Sequence, residues 1–98
     1  MIVHASEQLK VPASATELGE KAFAHIAAVE VLLPESAQSI GPRAFADCAN
    51  LALITIPDSV TSVASNAFES SDGVVILCSE NSFAAQYAYD TDTLWVAK

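Results

Sequence analysis

Pairs of apolar residues two positions apart return at a near-constant interval along this chain: Leu9 and Val11, Val31 and Leu33, Ile54 and Ile56, Ile76 and Cys78. A spacing of two puts both members on one side of an extended backbone. "LKV", "VLL", "ITI" and "VVILC" are therefore expected to be short strands with that side toward a core. Pro12, Pro34 and Pro57 follow the first three, and Ser79 takes that place after the fourth. Proline lacks an N–H and fixes φ, so each predicts a strand end and a turn. The stretch after each turn, such as "VTSV" at 60–63, again points apolar residues inward. Gly19 and Gly41 come next, with Ala64 in the third copy. They are expected to allow a positive φ at a second corner. "KAF", "RAF" and "NAF" then predict a short helical or 3₁₀ turn carrying Ala-Phe inward.

The same phrase is thus written three times. Pro12, Pro34 and Pro57 are separated by 22 and then 23 residues, as are Phe23, Phe45 and Phe68. Leu18, Ile40 and Val63 share that spacing, and so do Val29, Leu51 and Val74. Ala22, Ala44 and Ala67 precede the phenylalanines, and Ser14, Ser36 and Ser59 follow the prolines by two. The extra residue is expected between Leu51 and Pro57. A unit this short cannot bury its own apolar side, so stacked units must share one core, with the phenylalanines as its spine.

The stretch "AFADCANLALITIPDSVTSVASNAF" resembles the BspA-type leucine-rich repeat at Ala44, Phe45, Cys48, Leu51, Ile54, Ile56, Pro57, Ser59, Val60 and Val63. The resemblance covers about residues 9 to 78. In the first copy Ile26 stands where Cys48 does, and the linker is one residue shorter. The implied fold is an α/β repeat solenoid. It is a short right-handed leucine-rich-repeat superhelix of about three coils, mostly short strands with one-turn helices, ending in a C-terminal cap helix. Residues 1–8 are expected to be an irregular N-terminal segment, 9–78 the repeats and 79–98 the cap. In the cap, Asn81 or Ser82 can start a helix running to about Tyr89, with Phe83, Tyr87 and Ala84 on one face. "TLWVA" then predicts a final strand. A cap here and none at the front suggest the C-terminal end of a longer array.

Composition narrows the partners. Hydrophobic residues make up 52% of the chain and charged residues 16%, which favours a packed core over disorder. Twelve acids against four scattered bases (Lys10, Lys21, Arg43, Lys98) give a net charge of −8. Nucleic acid and anionic membrane surfaces both draw on clustered Lys and Arg, so neither is expected as a partner. No apolar run reaches the roughly 20 residues that span a bilayer, and "MIVHASEQLK" has no signal-peptide pattern. Two cysteines are too few for a disulfide framework.

Candidate chemistry is sparse. His4 and His25 have no partner at metal-ligand spacing and predict exposed loop histidines. Cys48 and Cys78 have no evident base and predict buried free thiols in different parts of the coil. "YDTDT" at 89–93 lacks the glycine and distant glutamate of a calcium loop. Three glycines in the whole chain leave no phosphate-cradling loop. No catalytic residue, metal or cofactor is expected. Ser14, Ser36 and Ser59 recur with the fold, so hydrogen bonding at the turns accounts for them.

Strand alternation places Lys10, Glu30, Leu32, Leu53, Thr55, Val75 and Leu77 on the outer side of the sheet. Four of these seven are large and apolar, and a contiguous apolar stripe on a surface marks a contact. The resemblance implies protein binding or adhesion at a bacterial cell surface, in a surface or secreted protein. Host matrix or surface proteins are the implied partners. A structural cap and spacer, or an accessory module of an enzyme, is the alternative.

Overall fold

The computed structural model describes residues 8–26, 28–71 and 73–97. The expected irregular segment, His4 included, lies outside the described residues except for Gln8, which opens the first strand. In chain order the elements are β1 (Gln8–Lys10), β2 (Glu17–Leu18), β3 (Glu30–Leu32), β4 (Ser39–Ile40), β5 (Leu53–Thr55), β6 (Ser62–Val63), β7 (Val75–Cys78), α1 (Phe83–Asp90) and β8 (Trp95–Ala97). Alternate strands assemble into two ladders. One is a five-stranded parallel sheet in the order β1-β3-β5-β7-β8, the other a three-stranded parallel sheet, β2-β4-β6. Each turn of the chain adds one strand to the large sheet, which is a solenoid of about four turns.

The register follows the repeat. Leu9 lies beside Val31, Val31 beside Ile54 and Ile54 beside Ile76. Of these, Val31, Ile54 and Ile76 are fully buried. Each such side chain contributes roughly 1.5–3 kcal/mol on burial. Opposite them, Leu18, Ile40 and Val63 line the three-stranded sheet in register. The buried row leading into the large sheet is Ala28, Leu51 and Val74. Val29, expected in that row, is 40% exposed, because the shorter first linker advances the inward position by one residue.

Phe23, Phe45 and Phe68 form the expected spine. Successive ring centroids are 5.4 and 5.5 Å apart, with planes within 12° and 9° of parallel. Tyr87 of α1 continues it, 6.3 Å from Phe68 and tilted by 52°. Burial pushes the Tyr87 phenol above its ordinary range.

The segments bearing the phenylalanines are turns, not one-turn helices. Ala22 and Ala24 donate to Gly19 O and Lys21 O, three residues back. The N–H groups between them point away, from Lys21, Phe23 and His25 to Pro42 O, Ala44 O and Ala46 O of the next coil. Phe45 and Asp47 repeat this toward Ala67 O and Glu69 O. Left-handed residues interrupt the turns, so no helix propagates. These are Lys21 and Arg43 (φ 59° and 56°), then His25, Asp47 and Ser70 (φ 65°, 55° and 61°).

The glycines correct another expectation, since none has a positive φ. Gly41 instead permits a close approach: a Cβ there would lie 2.8 Å from Leu18 O of the preceding coil. The same atom on Gly19 would meet open space.

The cap forms as expected in outline. Ser82 is the N-cap and its Oγ accepts from Ala85 N–H at 3.2 Å. Ala84, Ala85, Tyr87 and Ala88 are buried, whereas Phe83, expected on that face, is 40% exposed. At helical spacing, Ala84 with Tyr87 and Ala88 defines the stripe that meets β7 and β6, and Phe83 falls outside it.

Truncating fully buried Phe45 to alanine should cost roughly 3–5 kcal/mol, while Thr61→Ala on the exposed side of a turn should be near neutral. Urea denaturation measures both, and equal small effects would contradict the spine. By the same measurement Gly41→Ala should destabilise and Gly19→Ala should not, a contrast that steric approach predicts and shared backbone freedom does not.

Candidate protein-contact face

The stripe residues occupy two rows across the outer side of the large sheet. Gln8, Glu30, Leu53 and Val75 form one, and Lys10, Leu32, Thr55 and Leu77 the other. Lys10 is exposed and the remaining six stripe residues are half-buried. Alternation explains this: Val31, Ile54 and Ile76 take the inward positions between them. The polar members sit at the β1–β3 end, where Gln8 Nε2 donates to Glu30 Oε1 at 3.3 Å. The apolar ones, Leu32, Leu53, Val75 and Leu77, succeed one another toward the cap.

The face extends further than the stripe. β8 pairs in parallel with β7, setting Val96 beside Leu77 and Trp95 beside Ile76. Leu94, one residue earlier, comes level with Val75 and gives its carbonyl to Ile76 N–H at 3.0 Å. Leu94 is 73% exposed and Val96 53%. Both rows therefore end in an open apolar side chain. The alternation in "TLWVA" carried that signal, but it became readable only with the pairing of β8 to β7.

The remaining candidates are elsewhere. His25 and Asp47 lie on the turn side, exposed, with His25 Nε2 3.6 Å from Asp47 Oδ2. Beside them Arg43 Nε donates to Glu69 Oε1 at 2.7 Å. That hydrogen bond and the charge of Glu69 raise the guanidinium's pKa. Among the described residues no three His, Cys, Asp or Glu side chains converge as a metal site. "YDTDT" is a helix end: Asp90 accepts from Gln86 Nε2, Thr91 caps α1 and Asp92 is left-handed at φ 57°.

Cys48 and Cys78 are both buried thiols. Cys48 is more than a small filler, since its Sγ donates to Phe23 O of the preceding coil at 3.3 Å. One coil later Ser71 does the same to Phe45 O at 2.6 Å and accepts from Cys48 N–H at 2.9 Å. Ser36 and Ser59 likewise bind back, Ser36 to Ala15 O at 2.8 Å and Ser59 to Ala37 O at 2.6 Å. Ser36 and Ser59 thus join coils rather than closing their own turns.

The comparison with known families agrees with this architecture. Residues 4–91 match the family described as BspA type leucine-rich repeat region, in six copies, and the chain belongs to it. No curated protein and no solved structure matches the chain significantly. The membership makes this a repeat module of a kind that commonly binds proteins.

Ser71→Ala should leave a buried carbonyl and a buried N–H without their partner and cost about 1–3 kcal/mol. Ser71→Cys should restore only part of it, because Cys48 makes the equivalent donor bond but a thiol is a weak acceptor for the Cys48 N–H. Thermal denaturation of the two variants compares them directly.

Proposed function

We propose that the chain is a non-enzymatic protein-binding module whose contact surface is the outer side of the large sheet, used for adhesion at a bacterial cell surface. The observation that carries this reading is the run of apolar side chains on that side: Leu53, Val75 and Leu94 follow one another in one row, and Leu77 and Val96 in the other, where Thr55 separates them from Leu32. A patch of that extent with a polar end at Lys10 and Glu30 fits the core-and-rim form of a protein contact. Residues 9–78 carry the repeats in this reading and 79–98 the cap. The acidic charge fits a protein partner better than nucleic acid. No described helix is long and apolar enough to cross a membrane. Host matrix or surface proteins are the partner class, a choice that rests on the family and not on the geometry.

One observation favours a second role. Tyr87 prolongs the phenylalanine spine and α1 packs on β6 and β7, as a cap and spacer of a repeat array requires.

Binding of the chain to immobilised host matrix proteins and bacterial surface extracts tests the first reading. A Leu32/Leu53/Leu77 to Ser variant with the parent's circular dichroism should lose at least tenfold in affinity, about 1.4 kcal/mol. Unchanged binding by that variant would remove the sheet face from consideration. No binding by the intact chain would favour the cap-and-spacer role.

A further inference from the structure

A second surface, separate from the sheet face, lies at the start of α1. Phe83, Gln86 and Tyr89 succeed one another at intervals of three on the helix side opposite its buried stripe. With half-buried Trp95 of β8 they surround an open cleft of about 470 Å³, completed by Glu80 and Asn81. Phe83 is 40% exposed and Tyr89 75%. Among the described residues the ring-to-ring contacts run along Phe23, Phe45, Phe68 and Tyr87, and none involves Phe83, Tyr89 or Trp95. Three aromatic rings therefore stand around one cleft with no ring stacked upon them. Gln86 is held by its bond from Nε2 to Asp90 Oδ1 at 2.9 Å, and among the described residues its Oε1 has no hydrogen-bond donor.

We propose that this cleft binds a neutral saccharide. A sugar ring offers an apolar C–H side and a margin of hydroxyls that donate and accept. The exposed rings of Phe83 and Tyr89 and the open part of Trp95 suit the first, while the amides of Asn81 and Gln86 and the carboxylate of Glu80 suit the second. Glu80, Asp90 and the net charge of −8 disfavour an anionic ligand. A quaternary ammonium is the competing occupant of a cleft lined by aromatic rings, and tetramethylammonium tests for it below.

Trp95 is the only tryptophan of the chain, so its emission reports on the cleft directly. The full chain is titrated with neutral gluco-, manno-, galacto- and chito-oligosaccharides. At least one should give a saturable shift. Tyr89→Ala and Gln86→Ala, both at exposed positions, should weaken that response about tenfold, the scale of one lost aromatic or hydrogen-bonded contact. Leu53→Ser on the sheet face should leave it unchanged, which separates this site from the protein-contact face. Flat emission with every sugar, or a Tyr89→Ala response equal to the parent's, would overturn the proposal. So would saturation by tetramethylammonium alone, or an emission change that follows protein concentration without sugar.

Discussion

Backbone hydrogen bonding between successive coils is the constraint on which everything else rests. The chain has few residues in regular strands, yet N–H and C=O groups on three sides of each coil are matched by the next one. The large sheet, the three-stranded sheet and the turn ladder from Lys21, Phe23 and His25 all join successive coils. Such matching works only if each coil is nearly the same length, so residues of one kind come to lie above one another. A phenylalanine then needs a phenylalanine next to it, and a serine after a proline finds the carbonyl of the previous coil. The left-handed residues Lys21, His25, Arg43, Asp47 and Ser70 each cost on the order of 1 kcal/mol, and the bonds between coils hold them in place.

Features that depended on a local period were legible in the sequence. The strands, the Phe23–Phe45–Phe68 spine, the outward stripe and the Ser82 cap all follow from residue type at a fixed spacing. Features that depended on what the next coil does were not. Gly41 looks like a residue chosen for positive φ, but it is small because Leu18 O lies against it. Cys48 and Ser71 look interchangeable as small side chains, and only the stack shows that both are donors to a phenylalanine carbonyl. Val29 fits its ladder by count, yet a linker one residue shorter turns it outward. Leu94 and Val96 join the sheet face only because the chain returns after α1 to pair with β7.

Chemistry concentrates on two surfaces that share little. The sheet side is a broad apolar face with a polar end, suited to a large partner. The cleft by α1 is small, aromatic and polar at its margin. Trp95 connects them physically: its strand ends the outer rows, while its ring turns toward the helix. Family membership accounts for the scaffold and not for these particular side chains.

The nearest-neighbour character of the stack also shapes its response to load. Each coil is held by the one before and the one after, and residues in contact belong to adjacent turns. Tension applied along the chain would therefore be borne by one coil at a time, each release freeing 22 or 23 residues of slack. The turn ladder and the carbonyl-seeking serines would break together with each coil. Because the coils share one core, release of one bares the apolar side of the next, so a stack of this kind would give way from its ends.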